Sequence, residues 1–103
     1  MKEVCQHCTM REAHHSEELK KDFTSRLNRI EGQIKGVNKM ISENVYCDDI
    51  LTQISAIQSA MSAVAQNLLA AHMKSCVVEQ IRDGNLEVID EVMKTIKRMT
   101  KSR

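Results

Sequence analysis

The strongest constraint on the fold is a long amphipathic pattern over residues 46–76, which neither Gly nor Pro interrupts. Its apolar positions recur at alternating steps of four and three residues, the spacing of one helix face. They are Ile50, Ile54, Ile57, Met61, Val64, Leu68 and Ala71. Such a helix is about 50 Å long at about 1.5 Å per residue. A compact domain of this size has a radius of gyration of about 13 Å, so we expect the chain to self-associate.

Three residues in this stretch are candidate metal ligands: Cys47, His72 and Cys76. The i,i+4 spacing of His72 and Cys76 places both side chains on one helix face. Cys47 lies about 29 residues before Cys76, which is roughly 43 Å along one continuous helix. The two sulfurs therefore cannot meet within one unbroken helix. Two antiparallel copies of the helix bring Cys47 of one chain to His72 and Cys76 of the other.

The middle of such a pairing falls near residues 60 and 61, where small side chains allow two helix backbones to approach closely. These side chains belong to Ala56, Ala60 and Ala63. The sequence therefore predicts one site built from two chains.

The chemistry of the three residues favours a soft metal. Two thiolates and one imidazole suit trigonal Cu(I), whereas Zn(II) usually takes a fourth ligand. A Cys near a His can also serve nucleophilic catalysis. The pattern offers neither a third catalytic partner nor a substrate cleft, so we predict that the protein is not an enzyme.

Composition supports an all-α chain. The 103 residues suffice for one domain and contain no Pro, and Phe23 and Tyr46 are the only aromatic residues. The net charge of +1 neither demands nor excludes a nucleic-acid partner. No secretory or membrane-spanning pattern is present, which predicts a cytoplasmic protein whose cysteines are thiols or metal ligands rather than disulfides.

Residues 1–15 form a polar segment without a helical stripe, followed by a predicted helical domain over residues 16–103. Cys5 and Cys8 have a metal-like spacing and His7 lies between them, but no second pair completes a zinc set. The segment is either a flexible tail or cloning remnant, or an accessory metal site formed by Cys5, His7 and Cys8.

Two further helices flank the central one. The first is predicted to start after a Ser16 cap and to end near Asn44. Its apolar seam is Phe23, Leu27, Ile30, Ile34, Val37 and Ile41. Gly32 and Gly36 lie one turn apart on this helix and would allow close approach by another helix. Basic residues cover the surface away from the seam, which on charge alone is typical of a solvated face.

The remaining helix ends are predicted from capping residues. Asp48 or Asp49 can cap the second helix, and Gly84 can end it. Asn85 can cap a third helix, whose predicted inward stripe is Ile89, Val92, Ile96 and Met99.

Three segments together resemble the copper-sensing repressors of the CsoR/RcnR family: RLNRIEGQIKG at residues 26–36, YCDDILTQISA at residues 46–56 and HMKSC at residues 72–76. The similarity covers roughly residues 19–100. It implies three helices per chain, an antiparallel four-helix-bundle dimer and a dimer of dimers. It also implies a repressor that binds operator DNA when metal-free, releases it on binding Cu(I) and so derepresses copper-resistance genes. A copper chaperone is a further expected partner.

The resemblance also assigns roles to particular residues. Cys47, His72 and Cys76 correspond to the Cu(I) ligands. Arg26, Arg29 and Lys35 match a basic DNA-binding patch, to which Lys74 is added. Some relatives carry a basic residue midway along the second helix, where this chain has Ser62 and Ala63. Tyr46 and Glu91 correspond to an outer shell that couples metal binding to DNA release.

Two alternatives within the family stay open. Nickel and cobalt sensors place a His where this chain has Cys76, and persulfide sensors lack the His found here at position 72. Copper is therefore favoured, and thiol-redox or persulfide sensing by Cys47 and Cys76 is the second interpretation.

Overall fold

The computed structural model describes residues 15–101. Within that range the chain forms helices joined by short turns and contains no strand. The elements are α1 (Glu17–Ser42), α2 (Cys47–His72), a π-helical turn (Met73–Val77), α3 (Val78–Arg82) and α4 (Glu87–Lys101). The predicted all-α class is confirmed. The candidate accessory ligands Cys5, His7 and Cys8 lie outside the described residues, so that prediction stays untested.

The α2 helix, the π turn and α3 follow one another without a break in the helical backbone, and we call this run, residues 47–82, the rod. The backbone keeps right-handed helical angles at His72, Val77 and Val78. Within the π turn each backbone hydrogen bond spans five residues instead of the four of an α-helix. The Val78 N–H, for example, donates to the carbonyl of Met73. The described part of the chain thus contains three rods, as predicted. The π turn itself was not predicted, because no Gly or Pro marks it.

The first helix begins and ends where the sequence predicts. The Ser16 hydroxyl accepts a hydrogen bond from the Leu19 N–H at 3.1 Å, which caps α1. At the other end Asn44 adopts a positive φ of 59°. The Val45 N–H then donates to the Met40 carbonyl at 3.0 Å. This closing bond and the left-handed residue form a Schellman motif, which satisfies the last carbonyls of the helix.

A second Schellman motif ends α3. Gly84 has a φ of 90°, and the Asn85 N–H donates to the Gln80 carbonyl at 2.8 Å. The prediction for Gly84 is confirmed, but the prediction that Asn85 caps the next helix is wrong. The α4 helix starts later, at Glu87, and the Asn85 side chain instead donates to the Gln80 side chain at 2.8 Å.

The start of α2 also differs from the prediction. The helix begins at Cys47, so Asp48 and Asp49 lie inside its first turn rather than capping it. The Tyr46 carbonyl accepts the N–H groups of Asp49 and Ile50, at 3.1 and 3.2 Å. In the first turn the two carboxylates still stabilise the helix through its dipole.

Ser16–Leu69 forms one compact unit, which contains α1 and most of α2. Its buried apolar side chains are Ile30, Ile50 and Val64. Alternate residues of the two predicted seams remain exposed: Leu27, Ile34, Ile41, Met61 and Leu68. The other seam residues are half-buried: Phe23 and Val37 on α1, and Ile54, Ile57 and Ala71 on α2.

The close approach expected at Gly32 and Gly36 is not made within the described chain. A Cβ atom built at either glycine meets nothing within 4 Å. The space beside both residues is open on the surface of α1.

Residues 70–101 form the second compact unit. Its buried side chains are Cys76, Val77, Gln80, Val88 and Val92. The predicted stripe of α4 is correct at Val92 but wrong at its start. Ile89 is 44% exposed, and Val88 is buried in its place. Val88 and Val92 are four residues apart and share a helix face, whereas Ile89 is rotated by about 100° from Val88.

No helix within residues 15–101 is both long enough and apolar enough to cross a membrane.

Candidate metal centre and nucleic-acid interface

Cys47 stands at the beginning of α2, where its thiol is free and exposed. His72 is the last residue of the same 26-residue helix. The rise between the two ends of such a helix is about 38 Å. An unbroken α2 therefore keeps the two side chains apart along its own axis.

His72 and Cys76 occupy consecutive turns of one rod, across the junction between α2 and the π turn. The imidazole is half-buried, and Cys76 is fully buried at 0% exposure. Val77, beside Cys76, is buried as well. This end of the rod thus offers an imidazole and a sulfur in a position largely shielded from water.

The expectation that the cysteines are not disulfide-bonded holds for Cys47 but not for Cys76, whose sulfur is disulfide-bonded in this structure. Sequence spacing does not report the oxidation state of a sulfur. The thiolate is the form that binds metals, so Cys76 becomes a ligand only after reduction.

Within residues 15–101 of a single chain, no three His, Cys, Asp or Glu side chains come together to hold a metal ion. The predicted ligands divide along α2, with Cys47 as its first residue, His72 as its last, and Cys76 one turn beyond His72. This division is what a site shared between two chains requires. The shared site itself stays a prediction.

Ser75 is a residue of this region that sequence reasoning missed. Its hydroxyl donates to the Ala71 carbonyl at 2.8 Å, and it is also within 3.5 Å of the Cys76 sulfur, where it can donate instead. A serine inside a helix often bonds the carbonyl four residues back and bends the helix. The signal was a serine directly before Cys76 in the HMKSC segment.

The candidate outer-shell residues lie on separate elements. Tyr46 precedes α2, and its side chain is 73% exposed. Glu91 is exposed on α4, and its backbone carbonyl accepts the Thr95 hydroxyl at 3.1 Å. The network of Tyr46, His72 and Glu91 stays a prediction.

The candidate DNA-binding residues are all exposed but do not form a single stripe. Arg26 and Lys35 are nine residues apart, so α1 places them on opposite sides, rotated by about 180°. The Arg26 guanidinium also pairs with the Asp22 carboxylate at 3.1 Å. Arg29 lies between them around the helix, and Lys74 lies in the π turn. The cations therefore surround much of α1, and the DNA-contact assignment stays a prediction.

These features define a class of protein: an all-helical protein with a soft-ligand pair on one helical run and exposed cations on another. Comparison with known proteins gives the family. Residues 19–98 match the model of the metal-sensitive transcriptional repressors. The chain belongs to this family.

Curated relatives in the family are copper sensors. The chain is 46% identical over 90 residues to the copper-sensing transcriptional repressor CsoR of Bacillus subtilis, covering 86% of this chain and 89% of the relative. It is 45% identical over 75 residues to the copper-sensing repressor RicR of Mycobacterium tuberculosis, covering 73% and 78%.

Solved structures share the fold. The copper-sensing repressor CsoR with Cu(I) from Geobacillus thermodenitrificans superposes with a TM-score of 0.81 at 44% identity, covering 84% of this chain and 92% of that one. The nickel-responsive regulator InrS superposes with a TM-score of 0.69 at 36% identity, covering 82% and 97%. Because one fold serves sensors of two metals, the donor residues must decide the metal.

Proposed function

We propose that this protein is a Cu(I)-responsive transcriptional repressor that binds operator DNA when metal-free and dissociates on binding Cu(I). This release derepresses copper-resistance genes. The observation that carries the proposal is the pairing of His72 with the buried Cys76 on one rod, with Cys47 at the opposite end. Two sulfurs and one nitrogen form a soft, three-coordinate donor set that suits Cu(I) and leaves Zn(II) short of its usual four ligands.

The exposed half of each seam supports a dimer. Leu27, Ile34 and Ile41 recur every seven residues on α1 and are 42–56% exposed. Met61 and Leu68 have the same spacing on α2 and are 44% exposed. Apolar residues at heptad spacing pack against another helix. A second copy of the chain covers this stripe as an antiparallel four-helix bundle, and two such dimers form the tetramer.

The antiparallel arrangement also completes the metal centre. It sets Cys47 of one chain beside His72 and Cys76 of its partner, so each dimer holds two equivalent sites. Bound Cu(I) links the two chains through these ligands. Reduced Cys76 is required, because the disulfide form has no thiolate to offer.

His72 is the ligand that couples metal binding to DNA release. A ligating imidazole uses one nitrogen for the metal and donates from the other to an outer-shell partner. Tyr46 and Glu91 are the proposed partners. Their hydrogen bonds to His72 hold α4 and the ends of the bundle in a form whose basic surface no longer fits DNA.

DNA binding rests on the cations around α1. Arg26, Arg29 and Lys35 contact phosphates, and Lys74 adds a further contact. The open space beside Gly32 and Gly36 lets a phosphate backbone approach this helix closely. The protein acts in the cytoplasm, where a copper chaperone is a candidate donor of the metal.

The test is operator-DNA binding by fluorescence anisotropy with reduced protein under anaerobic conditions. Cu(I) should release the DNA at one equivalent per chain, while Ni(II) and Zn(II) should not. The Cys76→Ser variant should bind DNA but ignore Cu(I). Retained DNA binding by the parent protein at saturating Cu(I) would refute the copper proposal.

A thiol-redox repressor is the second candidate function, favoured by the disulfide-bonded state of Cys76 and by the free, exposed thiol of Cys47. In that case polysulfide, rather than Cu(I), links Cys47 to Cys76 and releases the DNA. Mass spectrometry of the released protein separates the two candidates, because only the redox mechanism leaves a covalent bridge.

A further inference from the structure

The Ser75 hydroxyl has two acceptors within reach, one on the backbone and one on a candidate metal ligand. It donates to the Ala71 carbonyl at 2.8 Å, and its oxygen lies 3.5 Å from the Cys76 sulfur. Side chains of consecutive residues do not usually face each other on an α-helix. Ser75 and Cys76 both belong to the π turn, and single π turns inside helices are frequent at functional sites.

The state of Cys76 decides which acceptor the hydroxyl prefers. A hydroxyl carries one hydrogen to donate. In the disulfide state the Cys76 sulfur is uncharged and a weak acceptor, so the shorter bond goes to Ala71. A thiolate is negatively charged, and hydrogen bonds to charged groups are roughly twice as strong as those between neutral groups. Reduction and ionisation therefore make the sulfur the better acceptor.

The burial of Cys76 makes a nearby donor valuable. Cys76 is fully buried, and Val77 beside it is 1% exposed. A buried sulfur cannot be hydrogen-bonded by bulk water, and a buried charge without a partner is costly. Ser75 is half-buried and already has its hydroxyl within reach of the sulfur. It can supply the hydrogen bond that water does not.

We propose that Ser75 is a positioning residue of the Cu(I) centre. When reduced Cys76 binds the metal, the Ser75 hydroxyl leaves the Ala71 carbonyl and donates to the Cys76 thiolate, which holds the sulfur in its ligating orientation. The exchange also removes a bond of the kind that bends helices, so metal binding acts on the π turn itself. The inference rests on the proposed Cu(I) function, because it assigns a further role at that same site.

The experiment is competition with a Cu(I) chelator on full-length reduced protein under anaerobic conditions. Ser75→Ala should weaken Cu(I) binding by about 10–100-fold, the usual effect of losing an outer-shell partner. Ser75→Thr retains a hydroxyl and should restore most of the parental affinity. Ser42→Ala is the matched control on α1, because it removes a hydroxyl that also donates to a backbone carbonyl at 2.8 Å, that of Lys39. It should bind Cu(I) as the parent does.

A spectrum separates positioning of the sulfur from an effect on folding. A hydrogen bond lowers the energy of the thiolate electrons, so its loss in Ser75→Ala should move the sulfur-to-copper charge-transfer absorption to longer wavelength. Ala is a better helix former than Ser, so helicity by circular dichroism should stay parental.

Three results would overturn the proposal. The first is parental affinity and absorption in Ser75→Ala. The second is weaker binding with an unshifted absorption, or without recovery in Ser75→Thr, which would assign the hydroxyl to the backbone alone. Both of these leave the Cu(I) function standing. The third is a parental protein that does not bind Cu(I) tightly, which overturns the proposed function and the role of Ser75 with it.

Discussion

Cys47 and His72 are the first and last residues of α2, so one helix holds them about 38 Å apart along its axis. Cys76 follows one turn after His72, within the π turn. The geometry of a single rod therefore divides the donor set between its two ends. The proposed shared site places two such helices side by side, and we propose the exposed heptad residues of α1 and α2 as the surface for that pairing.

The Cu(I)-loaded, reduced protein should show a three-coordinate metal with two sulfur ligands and one nitrogen ligand. X-ray absorption at the copper edge measures this directly. Cys76→Ser should lose one sulfur, whereas the matched variant Ser75→Ala should keep both. A four-coordinate shell that loses a sulfur in Cys5→Ser or Cys8→Ser would contradict a closed three-ligand site.

Neutralising the cations of α1 should weaken DNA binding and flatten its dependence on salt. Arg29→Ala and Lys35→Ala should each reduce the salt slope by about one, because one fewer counterion is released. Asp22→Asn should strengthen binding, because it removes the carboxylate that pairs with Arg26 at 3.1 Å. Anisotropy at several salt concentrations gives the slopes.

The control for these variants is Lys20→Ala, which removes a charge already paired with Glu17 at 3.4 Å. If Arg26→Ala and Arg29→Ala both match the parent in affinity and slope, the α1 cations are solvated surface only.

Glu91→Ala and Tyr46→Phe should keep the Cu(I) affinity of the free protein but lose much of the copper-driven DNA release. Metal and DNA binding are linked by one coupling free energy, so the DNA complex of each variant should also bind Cu(I) more tightly than the parental complex. Competition with a Cu(I) chelator, with and without DNA, measures both effects. Glu87→Ala, an acidic residue one turn earlier on α4, is the matched control. If Cu(I) releases DNA from both variants as fully as from the parent, the coupling does not depend on Tyr46 and Glu91.

Asn85→Ala should destabilise the protein by about 1–3 kcal/mol, because it leaves the buried Gln80 side chain without its hydrogen-bond donor. Urea unfolding monitored by circular dichroism gives the free energy of unfolding. Asn67→Ala, at an exposed position within α2, should change it little. Equal stability of Asn85→Ala and the parent would mean that water or another group replaces the donor.

The spacing of the apolar residues and the residues that cap helices predicted most of the fold. Ser16 begins a helix and Asn44 and Gly84 end helices, as expected. These positions were predictable because a capping hydroxyl and a left-handed backbone each favour particular residue types. Asn85 was assigned wrongly because an amide can cap a helix or bond a side chain across the turn, and only the tertiary structure decides between them. The seams of α1 and α2 are apolar faces as predicted, but which of their residues are buried depends on packing that one sequence does not record.

The candidate site was harder to predict in detail. The i,i+4 spacing of His72 and Cys76 identified the pair, yet the π turn that contains Cys76 has no sequence signature of its own.

In the proposed dimer each Cu(I) site takes Cys47 from one chain and both His72 and Cys76 from another. Complementation between two defective chains tests this most directly. One chain carries Cys47→Ser, and the other carries His72→Ala with Cys76→Ser. Neither homodimer has a complete site, but a mixed dimer contains one intact site and one site without any of its three ligands.

The two chains, tagged differently, are unfolded together, refolded under reducing conditions and purified as the mixed dimer. Competition with a Cu(I) chelator then gives the number of tight sites. If the site is shared between two chains, the mixed dimer should bind one Cu(I) ion with parental affinity, and neither homodimer should bind any Cu(I) tightly. No tight Cu(I) in the mixed dimer, with two per parental dimer, would contradict it and place the site within a single chain.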